Sequence, residues 1–241
     1  MPYKAVIFDL FGTLVENFSS QAYDQVQVQM AKILDIPYPK FQQVMLATIN
    51  DKSSDGYYAV EDNILEICRC LSIKVNTSQI EQAATLHYEF SESTLIIEPK
   101  VLKSLGTLKR DNLLLGLITN CRPPIPSAFL QSPLAQYIDV PVFSCEERIK
   151  KPARRIYEIV CERLKVQPQE CLYVGDGSGQ ELTGATAVGM LPILKRADLT
   201  DVYDPHRPEV ENWQGIAIDE ISELCTIIPE LASLCVNPNQ W

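Results

Sequence analysis

The sequence predicts an α/β protein, a doubly wound parallel sheet carrying an inserted all-helical cap domain. Three observations lead there. Short β-branched runs ending in Gly, Asp, Ser or Thr alternate with helix-period segments through the second half of the 241-residue chain. One such run, 5–9, stands alone near the N-terminus. Roughly a hundred residues, mostly of helical pattern, then separate it from the next, where a crossover helix needs only ~10–15. Strand–helix alternation implies right-handed crossovers and a parallel sheet.

In chain order, the expected strands are AVIFD (5–9), LLLGLITN (113–120), VPVFS (140–144), CLYVGD (171–176), LPIL (191–194) and GIAID (215–219). Two crossover helices show a 3.6-residue apolar stripe: Val101, Leu102, Leu105 and Leu108 in one, Ile156, Ile159, Val160 and Leu164 in the other. The long gap holds four helix candidates, QAYDQVQVQMAKIL, KFQQVMLATIN, VEDNILEICRCL and SQIEQAATLHYEFSEST. The last opens on Ser78 with Glu81 three residues later, which reads as a capping box. KSSDGYY (52–58) breaks the pattern as a loop, and NPNQW reads as a surface tail. The division that follows is a core over 1–17 and 94–241, with a helical cap over 18–93 covering the carboxyl end of the sheet.

Composition limits the partners. The formal net charge is −10 and no Lys/Arg block is present, which argues against nucleic acid or an acidic membrane surface. A small anionic substrate could still enter a locally positive pocket. No apolar stretch reaches membrane-spanning length and no signal-peptide pattern opens the chain. The eight cysteines are scattered, Cys68 and Cys70 matching neither a redox pair nor a zinc knuckle. A cytoplasmic protein with reduced thiols is the expectation. Oligomeric state is not legible.

Four side chains fall at or just beyond the ends of successive predicted strands: Asp9, Thr119, Lys151 and Asp176. Asp9 could simply cap a turn. In an open α/β sheet, however, ligands bind beyond the carboxyl ends where strand order reverses. With the order third-second-first-fourth-fifth, Asp9 and Asp176 face each other there. A carboxylate can attack as nucleophile, an ammonium keeps it ionised, and a hydroxyl with backbone N–H groups holds oxygens of a transferring group. Asp9 and Asp176 together could hold Mg²⁺.

The pieces DLFGTLV, LITN, KKPARRIY and GDGSGQELTGATAVGM, in this order over nearly the whole chain, resemble the haloacid dehalogenase superfamily of aspartate-nucleophile hydrolases, in its helical-cap branch. The resemblance implies Asp9 as nucleophile, Thr119 as group-binding hydroxyl and Lys151, directly before Pro152, as the motif lysine. Gly12, Thr119, Asn120 and Lys151 become the expected phosphate-binding positions. Asp9, the carbonyl of Phe11 and Asp176 become the expected Mg²⁺ ligands, with Glu181 behind a water. Lys150 reads as a solvated surface charge.

Two departures matter. Phosphatases of the superfamily usually carry Asp two residues after the nucleophile, and here it is Phe11; the second acid of the last motif is usually Asp and is here Glu181. An aromatic residue at position 11 resembles the metal-independent dehalogenases, whereas Asp176 points to a metal-dependent phosphatase acting on a small phosphorylated metabolite through an aspartyl-phosphate. The metal-independent 2-haloacid dehalogenase is the alternative, and a binding protein on a decayed scaffold is a third reading. Elsewhere, His87 reads as a packed or surface residue, Trp213 as core and His206 as part of a polar loop. Arg122 suits a surface role or a contact with a substrate anion. Tyr57 and Tyr58 could line the site from the cap.

Overall fold

A computed structural model of the chain describes residues 3–51, 59–202 and 205–236. Six strands form one parallel sheet: β1 (Ala5–Phe8), β2 (Leu114–Thr119), β3 (Val140–Phe143), β4 (Cys171–Gly175), β5 (Leu191–Lys195) and β6 (Ile216–Ile218). Their order, β3-β2-β1-β4-β5-β6, matches the expected one and adds β6 at the far edge. Between β1 and β2 lie α1 (Ser20–Ile33), α2 (Tyr38–Asp51), α3 (Val60–Cys70), α4 (Thr77–Ser93) and α5 (Pro99–Arg110). The remaining helices are α6 (Pro124–Gln131), α7 (Ser144–Glu147), α8 (Arg154–Leu164), α9 (Glu181–Val188) and α10 (Leu224–Val236).

The sheet is buried on both faces, as parallel sheets must be, and the two-residue period of the strands sorts its side chains. Val6 and Phe8 face one core with Leu115, Leu117, Leu172, Val174 and Ile193. Ala5 and Ile7 face the other with Ile118, Tyr173 and the α8 stripe of Ile156, Ile159, Val160 and Leu164. A third apolar core belongs to the inserted helices and joins Tyr23, Met30, Leu34, Phe41, Ile64, Ile67 and Ala83. The inserted helices are therefore a packed body of their own, and α4 rests against α6.

Two details differ from expectation. The capping box of α4 is Asn76 with Gln79: the Asn76 side chain accepts from the Gln79 N–H and the Gln79 side chain accepts from the Asn76 N–H. Asn is as good an N-cap as Ser, and Ser78 instead accepts from Gln82 inside the helix. Trp213 is half-buried at the rim of the second core, its indole N–H held by the Ile216 carbonyl at 3.0 Å. The loop reading of 52–58, the tail, and Tyr57 and Tyr58 with them, lie outside the described residues.

Candidate active site

The register of the sheet brings the site together. Phe8 pairs with Leu117 on one side and Val174 on the other, so the ends of β1, β2 and β4 are level. Asp9, Thr119 and Asp176 consequently emerge side by side where the strand order reverses, and the Asp9 N–H still donates to the Val174 carbonyl at 2.9 Å. Asp9, Thr119, Lys151, Asp176 and Glu181 are all buried.

Lys151 is the hub. Its Nζ donates to Asp9 Oδ1 and, at 2.5 Å, to Glu181 Oε2. Asn120 fixes the backbone of Lys151 from both sides, its amide oxygen accepting the Lys151 N–H at 2.8 Å and its amide nitrogen donating to the Lys151 carbonyl at 3.3 Å. Glu181 is held further by Tyr173 Oη at 2.8 Å and by the Gly177 N–H at 3.0 Å. Asp176 Oδ1 accepts from the Ser178 N–H at 3.0 Å. Its Oδ2 accepts from Arg207 at 2.7 Å and from Asn17 at 3.3 Å. Lys150 is exposed, as expected.

Two glycines are what allow this density. Gly12, at φ +76°, passes so close to Asp176 that a Cβ there would lie 2.2 Å from Oδ2. A Cβ on Gly175 would lie 2.3 Å from Glu181 Oε1. Both positions need backbone without a side chain.

The charges oppose one another strongly. Burial raises the pKa of Asp9; Lys151 offsets part of that rise and Asp176 adds to it. Glu181 is pushed up to about 8 by burial, then by Asp9, against the pull of Lys151. Burial alone would depress Lys151, but Asp9 and Glu181 outweigh it and hold the ammonium above its ordinary range. Lys151 therefore stays charged, and the acids resist full ionisation together.

One oxygen from each of Asp9, Asp176 and Glu181 can lie within 4.8 Å of the others. A buried, all-oxygen donor set of this kind could hold a divalent metal. The three carboxylates exceed Lys151 and Arg207 by one negative charge, which leaves room for a further cation when an anion arrives.

Above these groups a polar chamber of about 200 Å³ is bounded by Asp9, Asn17, Thr119, Lys151 and Arg207. A second chamber of about 170 Å³ opens beside it toward the inserted helices. Phe11, Phe18 and Asn120 line both. Arg122 and His87 lie on the wall of the second chamber. Buried His87 is held neutral, its pKa drawn down to about 4 by desolvation and then by Arg122. His206 is exposed.

Residues 3–189 match the profile described as haloacid dehalogenase-like hydrolase. The chain belongs to this family. Over 237 residues, 93% of this chain and 98% of the other, it is 25% identical to a ribulose-1,5-bisphosphate 5-phosphatase of Halopiger xanaduensis. It is 33% identical over 102 residues to the phosphoglycolate phosphatase of Escherichia coli, a stretch of 42% of this chain and 40% of that enzyme. Among solved structures, a 2-haloacid dehalogenase of Pseudomonas syringae superposes with a TM-score of 0.67 at 19% identity, over 95% of this chain and 99% of that one. That last likeness concerns the fold alone. The family places this protein among hydrolases with a Rossmann-like core and a helical cap.

Sequence reasoning missed Arg207, Asn17 and Tyr173. Arg207 sits between two prolines in the segment joining β5 and β6, where nothing in the local pattern signals a site. Tyr173 falls at an inward position of an apolar strand and reads as core, which its ring is; only its hydroxyl reaches Glu181.

Proposed function

We propose that the protein is a phosphomonoesterase acting on a small phosphorylated metabolite, with Asp9 as nucleophile. The observation that carries this reading is the ion pair of Asp9 with Lys151 at the floor of the polar chamber. A nucleophilic carboxylate must stay charged beside an incoming anion, and the buried ammonium keeps it so. The similarity to a sugar-bisphosphate phosphatase along nearly the full chain supports the same chemistry.

In this reading an oxygen of Asp9 bonds to phosphorus as the ester oxygen leaves with its electron pair. Thr119, Lys151 and the backbone at Gly12 and Asn120 hold the phosphoryl oxygens. Water then attacks the aspartyl-phosphate, releasing phosphate and restoring Asp9. Mg²⁺ held by Asp9, the Phe11 carbonyl and Asp176, with Glu181 behind a water, would neutralise charge on the transferring group. Phe11 can neither donate nor accept a proton, so nothing at position 11 protonates the leaving oxygen or activates the water. A general acid commonly contributes ~10²–10⁴-fold. Leaving groups that need little protonation are therefore favoured.

One observation favours a second reading. Arg207 already bonds the oxygen of Asp176 that faces Gly12 and Asn17, so a resident cation already pairs with a carboxylate that would hold the metal. A metal-independent dehalogenase needs no more than that, and no proton donor either. Phosphate release assayed with Mg²⁺ and with EDTA, beside a halide-release control on 2-chloropropionate, separates the two. Metal-dependent phosphate release is the expected result. Halide release insensitive to EDTA, without phosphate release, would overturn it.

A further inference from the structure

The second chamber has a chemistry of its own, and what it accepts rests on the phosphatase reading above. Its walls are aromatic. Phe11 meets Phe18 edge-on at 5.8 Å between ring centroids, and Phe18 meets Phe90 edge-on at 5.7 Å. Tyr23 lies against Phe90 at 5.2 Å, and Ile125 of α6 closes the core side.

Several polar atoms on its wall are already engaged. Ser91 Oγ donates to the His87 carbonyl at 2.8 Å, and Thr94 Oγ1 donates to the Ser91 carbonyl at 2.7 Å. The Asn120 amide is used at both ends by Lys151. His87 is neutral. Arg122 is the one charged side chain lining this chamber among the described residues.

A phosphosugar placed here would strip water from several hydroxyls and offer them aromatic edges in return, an unfavourable exchange. A glycolate-sized group would leave most of the rings uncovered. A six-membered aromatic ring suits both the surface and the size, since an apolar cavity of about 150 Å³ is enough for benzene. Rings in such a chamber stack or meet edge-to-face with those already present.

We infer that the substrate is a small aryl phosphomonoester, its ring seated among Phe11, Phe18, Tyr23 and Phe90 and its phosphate on Asp9. Phe11 is the shared wall, so the ester oxygen lies beside it at the passage between chambers. The reaction then balances without an acid at position 11. Asp9 forms the new oxygen–phosphorus bond, the aryl oxygen–phosphorus bond breaks, and its electron pair leaves on a phenoxide stabilised by the ring. The phenoxide takes its proton from water. The hydroxide equivalent left behind attacks the aspartyl-phosphate, releasing phosphate and restoring the Asp9 carboxylate, so one water is consumed overall.

The test uses the full chain with Mg²⁺. Turnover is measured on phenyl phosphate, ribose 5-phosphate and acetyl phosphate, the last having a good leaving group too small to fill the chamber. Binding is measured separately by calorimetry with phenylphosphonate and methylphosphonate, which cannot be hydrolysed. Phenylphosphonate should bind at least ~10-fold tighter than methylphosphonate, in line with burying several apolar carbons. Phe90→Ala should raise KM for phenyl phosphate ~10-fold and leave that for acetyl phosphate within about twofold. Ile125→Phe, which fills the chamber without opening a cavity, should do the same. Equal binding of the two phosphonates, or ribose 5-phosphate turned over as efficiently as phenyl phosphate, overturns the aryl assignment and leaves the phosphatase standing. Tight phenylphosphonate binding with no phosphate released from any of the three compounds overturns the phosphatase reading instead.

Discussion

The two chambers beneath the helical cap share Phe11, Phe18 and Asn120 and differ in almost everything else. The polar one is floored by Asp9 at the end of β1 and by Lys151 from the segment after β3, with Asp176 and Glu181 clustered against Asp9. The aromatic one is built largely from segments outside the sheet, with Phe18 just before α1, Tyr23 on α1, and His87 and Phe90 on α4. In the first, each group is held by several hydrogen bonds and opposite charges. In the second, apolar surfaces meet edge to face. On the proposed reading the difference is a division of labour: the sheet supplies the reacting groups, and the inserted helices supply the surface that selects what they act on.

The sharpest way to separate the chambers is Asp9→Asn. Turnover should fall by roughly 10⁴-fold or more, the scale for loss of a covalent nucleophile. The change is nearly isosteric, so circular dichroism and phenylphosphonate binding in the aromatic chamber should be retained. Near-normal turnover in this variant would show that the polar chamber is not where the chemistry occurs.

Lys151→Met tests how far the polar chamber depends on its one lysine. Removing it leaves Asp9 and Glu181 buried without their shared partner. A loss of about 3–5 kcal/mol is expected from urea unfolding at pH 8. The loss should shrink as pH falls, because protonation then relieves both acids. An unchanged unfolding midpoint would mean the ion triad does not form.

His87 gives the aromatic chamber a pH dependence of its own. Its pKa in the folded protein is about 4, against 6.5 as the reference value. The unfolded chain therefore binds the proton more readily between those values. The stability due to neutral His87 is complete above pH 6.5 and is lost as pH falls toward 4. The slope is about 1.4 kcal/mol per pH unit, about 3 kcal/mol in all. His87→Gln should flatten that part of the wild-type profile. A parallel profile in the variant would place the titration elsewhere.

The smallest expected effect bears on the metal. Arg207→Gln removes the cation that bonds Asp176. Mg²⁺ affinity measured by calorimetry should rise at least ~10-fold, since a positive charge beside the ligand opposes binding of another. Unchanged or weaker Mg²⁺ binding would show that Arg207 positions Asp176 for the metal rather than competing with it.

The sequence alone determined the sheet, because its signals are local. Apolar runs such as AVIFD and CLYVGD are short, β-branched and punctuated; their spatial order is a supposition at the level of sequence and is given by the strand pairing. Asp9, Thr119, Lys151 and Asp176 were legible for the same reason: each lies at or near the end of a recognisable strand, where open α/β sheets place ligands. Only the tertiary structure decided what surrounds them. Arg207 reaches Asp176 across 31 residues, and Asn17 reaches it across 159. Such pairings depend on where a loop is laid down, and no spacing rule encodes that. Glu181, expected behind a water at the metal, turns out to bond the lysine that also bonds Asp9. The aromatic chamber is the fullest case. Phe11 is legible as the residue that replaces the usual acid, but Phe18 and Phe90 carry no signal in the sequence, and the three acquire a common meaning only when α1 and α4 close over the end of β1. Apolar contacts are non-directional and depend on three-dimensional packing, so the surface proposed to select the substrate is written in the fold rather than in any segment of the chain.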